Sequence, residues 1–529
     1  MTSPDLRPDT RAETPPVRQV APWWVAGVVS GYLGLAVAYL AARLLDATDD
    51  PVSGVANAII RRTPGGAVEW AIQSFGHHDK LVLVIGILAV LTAVFAGLGV
   101  LAERSFGAAI GGFLVLAAIG GLALAVQRDS QAIDQLPIVV GFLAWSFALS
   151  AVTEPMRLAA IADSYDASLG ASQDAGTRRS FLIRAGIVAS LAAFGGVVGR
   201  MAGRGRQQVE QARKLLRLEQ VTEPQQPAGV HPDVPGLAPW QTPSDDFYVI
   251  HTVFTPPTIT PDEWSLRIHG MVEREITISF DDLLKREFTE DWITLNCVSN
   301  EVGGTLIGNA WWSGVRIAPL LAEAGVSPDA DCVLQTSKDG WNCSTPLAAL
   351  TDDRNAMLAV AMNGRPLPVD HGFPVRTIVP GLYGYVSGTK WVVDYEVTRF
   401  DQVDAYWTVR GWGEQGPVKI ASRIDVPRDG ETLPPGAVTI AGEAWMQHTG
   451  ISRVEIAVDG GAWQQATLAT AAGVDSWVQW STQVDLDEGE HVVKVRAVDA
   501  EGRVQTAVVR PVLPDGATGL HERSFRVGT

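Results

Sequence analysis

Apolar residues gather into blocks over the first 200 positions of this chain and alternate with polar ones over its last hundred. Five apolar stretches stand out: Pro22 to Leu45, Leu81 to Leu101, Ala108 to Val126, Pro137 to Val152 and Ala185 to Gly199. A helix that crosses a bilayer needs about 20 apolar residues, with a lower limit near 17. The first three stretches meet that length. The fourth, LPIVVGFLAWSFALSAV, sits at the limit, and the fifth, AGIVASLAAFGGVVG, is short and weakly apolar. The pattern predicts a membrane region over 22–200 with about five transmembrane helices. Before it, residues 1–21 are rich in Pro, Arg, Asp and Thr and read as a disordered tail.

Past residue 200 the periodicity changes. Residues 201–236 read as a linker, with a polar helical stretch from Gln207 to Gln220 and a Pro-rich lead-in from Glu223 to Gly236. Residues 237–412 mix strands and helices. WSLRIHG alternates like a strand, and Ser279 is placed as the N-cap of a short amphipathic helix. VRIAPLLAEAG starts with an early Pro319 and stops at Gly325, and CVLQTSKDGWNCSTPL reads as a hairpin turning at Asp339-Gly340. Residues 413–529 show short alternating strands: Val454, Ile456 and Val458 share one face, Arg453 and Glu455 the other. That spacing predicts an immunoglobulin-like β-sandwich without its disulfide, with packing or dimerisation as its role. The whole is a multi-domain chain: five membrane helices, an α+β domain, then an all-β sandwich.

Composition narrows the function. Charged residues are 19% and hydrophobic residues 47%, and the formal net charge of −17 argues against nucleic-acid binding. Three cysteines make no disulfide scaffold. In the hairpin, Cys343 faces a residue near 336, so Cys332 lies about 10 Å away along the strand, beyond the ~7 Å reach of a disulfide. No C-x-x-C-H, C-x-x-C or Fe–S spacing occurs, and none of the nine histidines lies in an apolar stretch, so no haem is expected.

TRRSFLIRAG, Thr177 to Gly186, resembles the twin-arginine export signal in the order Arg178, Arg179, Phe181, Leu182. It departs at Ile183, where that signal favours lysine. The resemblance implies export of an already folded protein and a catalytic part on the extracytoplasmic side of the cell membrane. Charge supports this at Arg7, Arg11, Arg18, Arg157, Arg178 and Arg179. The cluster Arg200, Arg204, Arg206, Arg213, Lys214 and Arg217 runs against the positive-inside rule, so the opposite topology stays open.

The candidate chemistry starts at DWITLNCVSNEVGG, Asp291 to Gly304. Cys297 ends an apolar, strand-like run, and a thiolate is a soft ligand suited to a transition metal. Asn300, Gly303 and Gly304 leave room for a close-lying cofactor. Taken alone, the pattern fits a buried inert cysteine better. The order of FYVIHTVFTPPTI, LNCVSNEVGGTLIGNAWWSGVRI, DGWNCSTPL and HGFPVRTIVPGLYGYVSGTKWV changes that. Together, from about Phe247 to Trp412, these blocks closely resemble the sulfite-oxidase family of molybdopterin enzymes.

The resemblance implies one molybdenum held by a single pyranopterin and by Cys297. It implies cofactor contacts at Tyr248, His251, His371, Arg376, Ser387 and Lys390, and a substrate pocket shaped by Arg410 and Trp341, with Glu301 as a candidate for proton handling. Val302, Ile250 and Trp341 stand where the family carries two arginines and a tyrosine around its anionic substrate. Sulfite is therefore not the expected substrate; a less charged molecule, S-oxides included, fits better. Oxygen-atom transfer is the implied reaction. Electrons would pass to or from a separate protein such as a cytochrome. The sandwich resembles the family's dimerisation domain. The alternative is a non-catalytic, cofactor-binding membrane scaffold or receptor.

Overall fold

The computed structural model describes residues 23–528 apart from 46, 48, 76–78, 128–130, 166–173 and 203. The tail at 1–21 and the His77-His78 pair lie outside the described residues. Helices come first: α1 (Trp23–Leu44), α2 (Pro51–Arg62), α3 (Gly65–Phe75), α4 (Asp79–Arg104), α5 (Phe106–Ala125), α6 (Leu136–Tyr165), α7 (Asp174–Ala202) and α8 (Arg204–Leu215). Five segments are long and apolar enough to cross a membrane: Trp23–Leu44, Lys80–Arg104, Phe106–Ala125, Ala132–Leu158 and Arg179–Val198. Each of the five stretches read from the sequence overlaps one of them, with Leu45, Val126 and Gly199 just past the span ends and Pro22 outside the described residues.

The chain divides into two compact units. The first holds the described residues among 1–52, 84–125 and 132–202. Its helices approach closely at small residues, as membrane helices do when apolar side chains gain little by leaving lipid. A methyl group on Gly27 would lie 2.0 Å from the Phe95 carbonyl oxygen, so only glycine fits there. Trp145 stacks on Phe113 with ring centroids 5.3 Å apart and donates its Nε1–H to the Gly31 carbonyl at 2.7 Å. Leu114, Leu122, Leu143, Phe147 and Phe194 are each more than half exposed, which suits a lipid-facing surface. The arginine pair Arg178-Arg179 lies within α7, continuous with the fifth span.

The second unit takes in the described residues among 53–83, 126–131 and 203–529, so α2, α3 and the start of α4 cluster with the α+β portion and the sandwich. Its α+β portion contains β1 (Ser265–Gly270), β2 (Ile276–Ser279), β3 (Phe288–Asn296), β4 (Ile307–Arg316), β5 (Cys332–Ser337), β6 (Asn342–Pro346), β7 (Met357–Met362), β8 (Arg365–Pro366), β9 (Arg376–Ile378) and β10 (Val392–Thr398). Short helices interleave: α9 (Phe280–Leu284), α10 (Ile317–Ala324), α11 (Leu347–Thr351) and α12 (Gly384–Ser387). One sheet runs β2-β1-β10-β5-β6, the other β3-β4-β7-β8 with β9 on β7. Every residue of β7, MLAVAM, is buried, as a central strand covered on both faces requires. Ser279 caps α9 by accepting from the Asp282 amide, and α10 stops at Gly325. The β5–β6 hairpin pairs Gln335 with Cys343, leaving Cys332 opposite Pro346 with no disulfide.

Part of the stretch read as a linker is built into this unit. Val209 of α8 is 1% exposed and packs with Phe247, Leu295 and Trp312, and Arg206 pairs with Asp370 at 2.9 Å. The last portion is a sandwich of β11 (Ala421–Val426), β12 (Thr432–Leu433), β13 (Gly436–Trp445), β14 (Ile451–Val458), β15 (Gln464–Gln465), β16 (Thr467–Leu468), β17 (Val478–Leu486), β18 (Gly489–Asp499) and β19 (His521–Val527). Its sheets run β11-β13-β17-β16 and β12-β19-β18-β14-β15, with Ile456, Trp480, Val495 and Phe525 between them.

Candidate active site

The sandwich props the cysteine loop. β3 ends at Asn296, and the chain returns into β4 through a loop closed by the Asn300 side chain, which accepts from the Leu306 amide at 2.8 Å. Gly303 takes φ 77°, and a methyl there would lie 2.2 Å from the His521 ring. That glycine therefore makes room for the sandwich and not for a cofactor. Arg423 of β11 donates to the Gly304 carbonyl at 2.8 Å and to Glu443 and Asp425 at 2.6 and 2.7 Å. These two carboxylates raise the Arg423 pKa above its ordinary value.

Cys297 follows β3 directly and opens onto a cleft enclosing about 890 Å³, part of it continuous with solvent. Its walls include Tyr248, Ile250, His251 and Thr252, then Cys297, Asp339, Trp341, His371, Arg376, Gly388, Lys390, Trp391, Trp407 and Trp412. Segments more than 120 residues apart in sequence thus meet in one cavity.

The electrostatics of that cavity are those of an anion receptor. Arg376 and Lys390 form an antiparallel bridge, which sets both side chains on one face. Arg376 is 4% exposed; its Nη atoms donate only to the carbonyls of His371 at 3.2 Å and Gly388 at 3.4 Å, and its Nε has no partner. Burial lowers its pKa to about 10. Lys390 donates to the Asp370 carbonyl at 3.0 Å and lies 3.2 Å from Nδ1 of His251; burial and Arg376 hold its pKa well below the usual value. His251, lowered to about 2 by burial and by Lys390, is neutral and accepts at Nδ1. His371, lowered to about 3 by burial and by Arg376, contacts the Ser244 carbonyl at 3.1 Å. Burial also raises the Tyr248 phenol; Cys297 raises it further and Arg376 opposes, and all three line the cavity.

Two residues named from the sequence lie elsewhere. Ser387 is fully buried but spends its hydroxyl on the carbonyls of Leu382 and Tyr383, each at 3.0 Å, because it closes the single turn of α12. Arg410 is not a wall residue: its guanidinium donates to the carbonyls of Tyr406 and Arg61 and lies over the Tyr406 ring. Of the three family departures, Ile250 and Trp341 line the cavity, while Val302 packs near Gly519 of the sandwich. Glu301 is exposed and off the wall. Asp339, which reads as a mere turn residue, is on the wall; burial raises its carboxyl pKa, and it accepts from the Trp341 amide at 2.9 Å. The Nε1 donors of Trp341 and Trp412 are buried without partners.

A soft thiol, two buried cations without a carboxylate bonded to them, and unpartnered donors on the same wall make a donor set that fits a metal-bearing, phosphorylated pterin. Comparison with known proteins agrees. The profile "Oxidoreductase molybdopterin binding domain" matches residues 253–407, and "Bacterial Ig domain" matches 421–495. Mitochondrial sulfite oxidase of Macaca fascicularis is 31% identical over 305 residues, 48% of this chain and 56% of that protein. The "Uncharacterized oxidoreductase YuiH" of Bacillus subtilis (strain 168) is 30% identical over 180 residues, 34% of this chain and 87% of that protein. Among solved structures, the sulfane dehydrogenase SoxCD of Paracoccus pantotrophus aligns with a TM-score of 0.47 at 25% identity, over 55% of this chain and 84% of that one. The chain spans little more than half the length of the mitochondrial sulfite oxidases it matches.

Fold and site define a molybdopterin-binding oxidoreductase domain followed by an immunoglobulin-type sandwich and preceded by membrane-length helices. The chain belongs to the sulfite-oxidase family of molybdopterin oxidoreductases.

Proposed function

We propose that this chain is a membrane-anchored molybdenum oxidoreductase that works on the extracytoplasmic side and transfers one oxygen atom to or from a small molecule other than sulfite. The observation that carries the reading is the joint presence, on one cavity wall, of the Cys297 thiol and the buried Arg376 guanidinium, which has no carboxylate partner and an unpartnered Nε. Arg376 and Lys390 would bind the phosphate of a single pyranopterin, with neutral His251 and His371 and the Tyr248 hydroxyl along its polar edge. Cys297 would ligate the metal. When bound, the group supplies a molybdenum that exchanges one oxygen atom and two electrons with the substrate.

In the oxidising direction the balance is substrate plus water to oxygenated substrate, two protons and two electrons. The protons fall to groups of this chain. Asp339, with its carboxyl pKa raised by burial, is placed on the wall to take one and pass it to solvent. Trp341, Trp407 and Trp412 exclude water and orient the substrate, with the Trp341 and Trp412 Nε1–H groups free to donate to an oxygen atom. Electrons leave to or arrive from a separate redox protein such as a cytochrome, and the sandwich serves dimerisation as well as support of the cysteine loop. The arginine pair at the start of the fifth span is read as a twin-arginine signal.

The alternative, a cofactor-bound scaffold, draws on the absence of Arg410 from the wall. Turnover by the purified full chain with sulfite, S-oxides and N-oxides, using artificial electron donors and acceptors, separates the two. The enzyme turns over at least one S- or N-oxide; a scaffold holds molybdenum and turns over none.

A further inference from the structure

Residues 53–75, between the first two apolar helices, are part of the second compact unit and reach the rim of the cavity. Arg61, the penultimate residue of α2, donates from Nη2 to the Asp339 carbonyl at 3.2 Å, and Asp339 is a wall residue. The Arg61 carbonyl in turn accepts from Arg410. The start of α3 presses on the same point: a methyl on Gly65 would lie 2.5 Å from the Arg410 carbonyl oxygen. Two further ties hold the segment down. Asn57 accepts from the Phe254 amide at 2.9 Å, and Lys80 donates to the Val253 carbonyl at 2.7 Å, just beyond the wall residues His251 and Thr252.

Arg61 and Arg410 therefore stand side by side with no ion pair among the described residues; their guanidinium hydrogen bonds go only to neutral carbonyls. The Arg410 Nε is buried without any partner. Carbonyls satisfy donors but carry no net charge; the Asp339 carboxyl feels the charge of Arg61 without forming an ion pair with it, which leaves both guanidinium groups able to take an anion's oxygens. Below the rim the wall is apolar: Ile250, Trp341, Trp407 and Trp412.

We propose that Arg61 and Arg410 form an anion-binding pair at the cavity mouth, so that the chain selects an organic substrate with an apolar reacting end and a carboxylate or sulfonate carried away from it. The membrane-region loop is then a specificity element: it returns a cation to a pocket where Ile250 and Val302 stand in place of the family's arginines. The substrate class rests on the oxidoreductase reading above; the anion site does not.

The test is made on the full chain in detergent. Tryptophan fluorescence is followed during titration with methanesulfonate and with its neutral analogue dimethyl sulfone. Methanesulfonate gives a saturable change and dimethyl sulfone none. Arg61→Met weakens methanesulfonate binding about 10- to 100-fold, the loss of one charge-assisted hydrogen bond; Arg61→Lys recovers part of it; Arg267→Met, at an exposed pair with Glu275, changes nothing. Equal affinity in Arg61→Met, or no binding to the wild type, overturns the proposal. In turnover, Arg61→Met raises KM for methylsulfinylacetate and leaves dimethyl sulfoxide unchanged. Should no S-oxide turn over while anion binding follows Arg61, the oxidoreductase reading fails and the site stands.

Discussion

Replacing Arg376 by Met should have opposite effects on the empty and the loaded protein. In the empty protein the guanidinium is buried with its charge uncompensated. A fall in pKa from 12.5 to about 10 corresponds to roughly 3 kcal/mol of penalty at neutral pH. Against it stand two long bonds to the carbonyls of His371 and Gly388, together about 2 kcal/mol. Methionine fills the stem volume without the charge, so Arg376→Met should raise the stability of the empty protein by about 1 kcal/mol. In the loaded protein the same change removes charge-assisted bonds to phosphate, each about 1.5–3 kcal/mol. With a fork making two such bonds, cofactor affinity should fall about 100-fold or more. The assay is thermal unfolding of the detergent-purified chain from cells that make the pterin and from cells that cannot. Midpoints should rise slightly in the empty variant and fall in the loaded one. A fall of equal size in both would refute the reasoning, because Arg376 would then be a structural residue with no anion to meet.

Two further outcomes follow from the same electrostatics. His251, His371 and His521 have folded pKa values of about 2, 3 and 4, below their ordinary 6.5. Below pH 6.5 the unfolded state therefore binds more protons, and stability should rise with pH between about 4 and 6.5, by about 1.4 kcal/mol per pH unit for each histidine. Asp475, raised to about 6, and Asp291, Asp339 and Glu443, also raised by burial, act in the opposite sense, so the histidine part is isolated by comparison with His521→Asn, whose denaturant midpoint should gain less between pH 4.5 and 6.5 than that of the wild type. Arg423→Met leaves the fully buried Glu443 without its cation and should cost about 3–5 kcal/mol, with much of the loss recovered by Arg423→Met/Glu443→Leu in chemical denaturation.

Elements whose signal is local were legible in the sequence. Apolar runs gave the spans, Ser279 marked a cap, and Asp339-Gly340 marked a hairpin. Alternation at Val454, Ile456 and Val458 marked the sandwich. In the site, block order brought Cys297, His371, Arg376 and Lys390 to mind as one group, and the fold brings them to one wall. What stayed hidden depends on partners far away in the chain. Nothing beside Gly303 tells that His521, over 200 residues later, needs its space. Ser387 sits in a polar-looking run, yet a single-turn helix claims its hydroxyl. Arg410 looks like a wall arginine, yet its guanidinium is drawn to the carbonyls of Tyr406 and of Arg61 on α2, more than 300 residues earlier in the chain. Asp339 had a sufficient local role as a turn residue, which masked its place on the wall.

The central claim is the bond between the Cys297 sulfur and a metal in this cavity. Molybdenum X-ray absorption on the purified full chain, beside its Cys297→Ser variant, tests it directly. About one molybdenum per wild-type chain is expected, with one sulfur neighbour fewer in a variant that still folds. An unchanged sulfur shell in Cys297→Ser, or a wild-type chain that never takes up molybdenum, would contradict it.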